Sequence, residues 1–248
     1  MRYKMLVFTL LALAAPLRGV PAGPPPRIAV VIDDFGLDYK KTPPDAEWLA
    51  VGFPLTCAVM PESPRTKKSA VAVKASGKEL IIHFPFDPFL ALELPKDRVS
   101  PTDLDKVNKL LAKSIRDIPQ ADGINTHRSY KATLNRPLMA AFLPGLKGKF
   151  GYFLDSRAAP KSVAYDEARK AGLRAAANDI FLEEPGHYDD APFCAKIMRI
   201  VAAQARKRGQ AMAIGHHYYR GTLDCLKTEV PKLQAQGFEF VFASALAH

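Results

Sequence analysis

From Arg27 to the C-terminus the chain repeatedly runs a short apolar stretch into one ionisable residue: IAVVID into Asp34, ELII into His83, DGIN before His127, YFL into Asp155 and AMAIG into His216. In a barrel of alternating strands and helices, the strand C-termini form the face that carries the chemistry, so such residues can converge on one site. The pattern points to an enzyme.

Apolar runs recur at residues 28–32, 55–59, 79–82, 121–125, 150–154, 173–177, 210–214 and 238–242, with helical periodicity between them. That alternation predicts βα units around a mostly parallel sheet. The clearest helix begins at Ser100, with Pro101 in its first turn, Asp103 completing a capping-box-like S-x-x-D, and an apolar face of Leu104, Val107, Leu110, Leu111, Ile115 and Ile118. Gly77, Gly172, Gly209 and Gly237 each precede an expected strand, where a left-handed residue would close the preceding helix. A helix over 190–208 would put Phe193, Ile197, Ile200 and Val201 on one stripe, and Pro231 should break or kink a helix starting near Thr222. Polar groups at several different strand ends favour a barrel over an open sheet, whose ligand sits at one switch point. Neither G-x-G-x-x-G after the first strand nor G-x-x-x-x-G-K-[ST] is present, which removes most support for dinucleotide and P-loop readings.

The 248 residues and 48% hydrophobic content suit one domain with a full core. Basic Met1–Lys4 followed by the apolar run Met5–Ala15, too short to span a bilayer, reads as a signal peptide over residues 1–22. Residues 23–26 then form a short linker, and 27–248 one catalytic domain. An uncleaved anchor is the alternative, and would be the only membrane attachment. Both place the folded part outside the cytoplasm, periplasmic or secreted. Of the formal charge of +10, Arg2, Lys4 and Arg18 contribute three within the leader. The remaining positive balance suits wall glycans or other anionic polymers, and no helix-turn-helix, zinc-finger or RNA-binding signature supports nucleic acid. An oxidising compartment would permit a Cys194–Cys225 bridge, and three buried thiols are the other possibility.

Among the ionisable residues, Asp33 and Asp34 follow a wholly apolar strand, where a carboxylate pair is costly unless solvated, metal-bound or hydrogen-bonded. Capping a loop start is the plain alternative. With His83 and His127, Asp34 would make a nitrogen and oxygen ligand set that leaves a position open for water or substrate. Asp87 could support or replace a ligand. Asp155 could orient a catalytic group and Arg157 an acidic partner or substrate, although an ion pair fixing the loop explains both. His216, after Gly215, has the titration range of a general acid, whereas His217 reads as its exposed neighbour. No G-x-S-x-G elbow or thiol partner supports covalent catalysis.

The ordered set IDDFG (32–36), HFPFDP (83–88), GINTH (123–127), FLDSR (153–157), NDIFL (178–182) and AIGHH (213–217) resembles the divergent polysaccharide deacetylase family, related to the NodB-type carbohydrate esterases. The resemblance covers the expected mature chain. It implies a deformed (β/α) barrel and metal-dependent removal of N-acetyl groups from a polysaccharide or cell-wall glycan. It further implies Asp33 as base, Asp34, His83 and His127 as metal ligands, His216 as acid, and Asp155 and Arg157 as orienting residues. Zinc is the ion expected for this donor mixture. Two departures stand out: the H-[ST]-x-x-H of typical deacetylases has Asp87 here in place of its second histidine, and GINTHRSY replaces a segment that in the divergent family reads close to GVNNHMGS. They motivate a second reading, a noncatalytic carbohydrate-binding or envelope scaffold on a degenerate barrel, and a third, another metallohydrolase.

Overall fold

A computed structural model describes residues 23–40 and 42–248, and the expected leader over 1–22 lies outside the described residues. Nine strands, β1 (Arg27–Phe35), β2 (Thr56–Val59), β3 (Glu79–Pro85), β4 (Gly123–His127), β5 (Tyr152–Asp155), β6 (Ala175–Ala177), β7 (Ile180–Phe181), β8 (Gln210–His216) and β9 (Glu239–Val241), form one sheet. Every pairing is parallel, in the order β6-β5-β4-β3-β2-β1-β8-β7. On the edge of β1 away from β8, β9 pairs residues 27–29 and β2 takes over from Val31. No ladder joins β6 to β7, so the curled sheet is a deformed (β/α) barrel with a seam. Across that seam Ala175 and His248 exchange backbone hydrogen bonds and Asp179 N–H donates to Met212 O. The two-residue β7 was the strand absent from the sequence reading, too short to register as an apolar run.

Helices α1 (Asp45–Leu49), α2 (Thr66–Ala75), α3 (Pro101–Asp117), α4 (Arg136–Phe142), α5 (Ala164–Lys170), α6 (Ala191–Arg208) and α7 (Arg220–Ala235) surround the sheet. The Ser100 hydroxyl caps α3 by accepting from Asp103 N–H, but the Asp103 carboxylate accepts from Glu93 and Leu94 N–H rather than completing a capping box. Asp190 caps α6 through Phe193 N–H, and Gly77, Gly172, Gly209 and Gly237 all have positive φ, as their positions required. Ile200, against expectation, lies outside the buried stripe of α6, 38% exposed. Pro231 does not break α7, which runs on to Ala235. Cys194 and Cys225 form a disulfide between α6 and α7, while Cys57 is free and buried. None of the described helices is long and apolar enough to cross a membrane.

The pleat divides the core in two. Ile28, Val30, Ile32, Leu80, Ile82, Phe84, Ile124 and Phe153 pack under the helices, whereas Ala29, Val31, Ile81, Tyr152, Leu154, Met212 and Ile214 fill the barrel interior. Side chains alternate faces along a strand. Continuing the interior parity along each strand therefore selects Asp33, His83, Asn125, His127, Ser156, Glu183 and His216 at the C-terminal mouth. Asp155 has the opposite parity.

Candidate metal centre and active site

Asp34 also has the wrong parity for the interior, and the backbone corrects it. The β1–β2 register shifts between Ile32 and Phe35, and Asp34 is left-handed, with φ 70°. This bulge re-aims the second carboxylate towards the mouth beside the first. Asp34 Oδ1 then lies 3.1 Å from His127 Nδ1 and 3.3 Å from His83 Nε2, and the two ring nitrogens are 2.8 Å apart. All three residues are buried.

Those separations suit three donors that each approach one ion at about 2.0–2.2 Å. Asp34 Oδ1 is a buried oxygen without a properly aligned hydrogen bond. A cation would satisfy it, and the three residues form a candidate metal-binding group by proximity. His83 Nδ1 lies 2.8 Å from Asn125 Oδ1, which favours the tautomer that donates to the amide and turns the Nε2 lone pair towards the shared point. The donor set therefore fits a divalent ion.

The charges agree with that arrangement. Burial opposes ionisation of Asp34, but the His127 and His83 rings beside it outweigh burial and hold the carboxyl well below its usual range. Burial and the charge on His83 push His127 down to about 4, so its ring is neutral at neutral pH. His83 is also disfavoured as a cation by burial, yet Asp33 and Asp34 raise its basicity overall. Burial raises the carboxyl of Asp33, partly offset by His83, His216 and the hydrogen bond that Asn125 donates to its Oδ1 at 2.8 Å.

Asn125 therefore serves two neighbours at once. It accepts from His83 and donates to Asp33, and its amide also reaches Ser156 Oγ at 3.2 Å. Opposite them, β1 and β8 pair Asp33 with His216 in register. His216 Nδ1 lies 3.0 Å from Glu183 Oε2, and Thr222 Oγ1 donates to the other Glu183 oxygen. Burial alone would lower the pKa of His216, but the hydrogen bond and charge of Glu183 bring it up to about 9. A Cβ at Gly215 would approach Glu183 Oε1 to 3.1 Å, so glycine there gives the carboxylate room. Sequence reading missed Asn125 and Glu183, although both share the interior parity of the strands they follow.

Asp33, Asp34, His83, His127 and His216 thus meet around one cavity of about 440 Å³. Asp155 and Arg157 do not join them. Asp155 accepts from the backbone N–H groups of Arg157 and Tyr165, so it shapes the loop and the start of α5. The Arg157 side chain lies 6.0 Å from the Tyr165 ring and borders a separate depression by the seam. Asp87 is likewise no ligand: its oxygens accept from Lys131 and Ala132 N–H, and its carbonyl accepts from Ser129 N–H. It supports the turn after His127, where Arg128 and Ser129 are both left-handed. His217, expected to be exposed, is 1% exposed; it pairs with Asp45 at 3.0 Å and contacts the Phe35 ring. Parity explains the reversal, since the residue after an interior His216 turns to the helix side.

Comparison with known proteins agrees with this geometry. A family model described as divergent polysaccharide deacetylase matches residues 30–247. The uncharacterised protein YibQ of Escherichia coli K12 is 31% identical over 217 residues, covering 87% of this chain and 64% of that protein. The chain thus spans slightly less than two thirds of that relative. An uncharacterised protein of Agrobacterium tumefaciens C58 has the same fold with a TM-score of 0.77 at 16% identity, covering 92% of each chain. A peptidoglycan deacetylase of Bacillus subtilis superposes with a TM-score of 0.53 at 13% identity, covering 90% of each. With the motifs, barrel and family match in accord, the chain belongs to the divergent polysaccharide deacetylase family.

Proposed function

We propose that the protein is an exported, metal-dependent hydrolase that removes N-acetyl groups from a polysaccharide or cell-wall glycan. The observation that carries this reading is the meeting of Asp34, His83 and His127 around a buried, unsatisfied oxygen, with Asp33 and His216 beside them. Zinc suits two imidazoles and a carboxylate. A divalent ion at this point supplies Lewis-acid polarisation of an amide carbonyl and makes water more acidic.

The remaining chemistry belongs to the chain. Asp33, held by Asn125, takes the proton of the attacking water; burial makes its carboxylate a stronger base than an exposed one. His216, with Nδ1 tied to Glu183, is cationic at neutral pH and presents Nε2 to protonate the departing amine. Export is supported by the apolar run near the N-terminus and by the Cys194–Cys225 disulfide, a bond that persists in oxidising compartments.

The test is acetate release from N-acetylated glycans by zinc-loaded protein, compared with Asp33→Asn and His216→Ala. Loss of turnover in both variants, with the metal retained, is the expected result. Equal activity in all three proteins would refute the roles given to Asp33 and His216. Glycan binding without turnover or metal dependence would favour the scaffold reading motivated by GINTHRSY.

A further inference from the structure

Helix α6 carries five cations, Lys196, Arg199, Arg206, Lys207 and Arg208, and no acidic residue. The three in its last turn complement the negative end of the helix dipole, but Lys196 and Arg199 lie too far from that end to do so. At 3.6 residues to the turn, Lys196, Arg199, Ile200, Ala203 and Lys207 share about 100° of the helix surface. All five are exposed. The opposite side of α6 packs Ile197, Met198, Val201 and Ala205 into the core, so this stripe faces away from the barrel. Among the described residues only Arg208 of the five cations pairs with a carboxylate, at 3.1 Å from Asp179. The neighbouring α7, tied to α6 by the disulfide, supplies no counter-charge: its acids Asp224 and Glu229 face Arg220 and Lys232 of their own helix, at 3.8 and 2.7 Å.

We propose that this face of α6 is a docking surface for an anionic phospholipid bilayer, which holds the barrel by its flank against the membrane. Lys196, Arg199 and Lys207 meet lipid phosphates, and Ile200 in their midst enters the headgroup layer. A single exposed isoleucine needs no explanation. Ringed by unpaired cations, however, it suits a bilayer, which offers negative charge and an apolar interior together, better than a soluble anionic polymer, which offers charge alone. The three cations reach across roughly 17 Å of helix, so several headgroups are engaged at once. The mouth opens at the end of the barrel and not on its flank, so docking leaves it free. The inference is therefore independent of whether that mouth turns over substrate.

Sedimentation of the full chain with sucrose-loaded vesicles tests the surface. Binding to an equal mixture of phosphatidylglycerol and phosphatidylcholine should exceed binding to phosphatidylcholine alone and weaken as salt is added. A variant combining Lys196→Gln, Arg199→Gln and Lys207→Gln should bind the anionic vesicles about a hundredfold more weakly, roughly fivefold for each cation. Its binding to neutral vesicles and its thermal midpoint should match wild type. The N-terminal leader is common to both proteins, so the difference between them belongs to α6. Ile200→Ser should weaken binding to the anionic vesicles about fivefold. Equal binding of wild type to the two kinds of vesicle, or a triple variant that binds anionic vesicles like wild type, would overturn the proposal. Binding to soluble polyphosphate as tight as that to anionic vesicles, and unaffected by Ile200→Ser, would assign the face to an anionic polymer and overturn it equally.

Discussion

Replacing Glu183 by Gln isolates one electrostatic contribution to the proposed reaction. Glutamine preserves the size of the side chain and an oxygen that can accept from His216 Nδ1, but it removes the negative charge beside the ring. That hydrogen bond and that charge are the main influences holding His216 at about 9 against burial. Without the charge, the group should fall towards its ordinary value of about 6.5. At about pH 8 the wild-type imidazole is then about nine-tenths protonated and the variant's only about 3%, a loss of roughly thirtyfold in active acid. Near pH 5.5 the two should differ little. The assay is kcat/KM for acetate release across the pH range, paired with an NMR titration of the His216 ring that does not depend on turnover. Expected are an alkaline limb that moves down by about two and a half units and a ring titration that moves with it. The same sign governs stability. A pKa raised by folding stabilises the native state below the unfolded value of about 6.5, and this contribution fades as pH rises through about 9. A variant whose alkaline limb stays near that of wild type, or whose activity drops by one factor at every pH, would refute the acid role assigned to His216.

Three further outcomes follow from the same structure. Zinc at about a hundred times its Kd should stabilise the fold by about 2.7 kcal/mol, which raises the thermal midpoint by roughly 5–10 °C; His127→Ala should abolish that rise in differential scanning calorimetry. Asn125→Leu should weaken metal binding about 10- to 100-fold in a competition titration with a chelating dye, because His83 loses the acceptor that fixes its tautomer. Replacing Cys194 and Cys225 together by serine opens a link across a sequence separation of 31 and should cost about 3–4 kcal/mol in urea denaturation. The remaining buried thiol, Cys57, should stay unreactive in both proteins, since burial raises its pKa.

The barrel was legible because strands buried on both faces read as unbroken apolar runs, and because glycines with positive φ punctuate the chain between helix and strand. The ligand group was legible because Asp34, His83 and His127 interrupt such runs at their ends. Parity was the signal left unused. Counting by twos from the interior residues of β5 excludes Asp155 and selects Ser156, and the same count along β8 separates His216 from His217. Glu183 escaped because β7 has only two residues, and Asn125 because an amide inside a buried strand resembles ordinary core satisfaction. The bulge that turns Asp34 inward has no local sequence mark; Gly36 beyond it reads as a plain turn. The way Asp87 acts was hidden for a related reason. Its work is done on backbone N–H groups more than forty residues away, a partnership that only the fold creates.

The left-handed conformation of Asp34 bears on how the protein can evolve. A non-glycine residue held there costs roughly 1–2 kcal/mol, and its unsatisfied buried oxygen adds to that cost. Glycine would relieve both, so stability alone would favour replacing this carboxylate. A carboxylate at this position therefore serves the proposed metal site rather than the fold. Engineering for thermal robustness should treat this position as forbidden ground, because the easiest gain in stability available there is also the shortest route to an empty barrel.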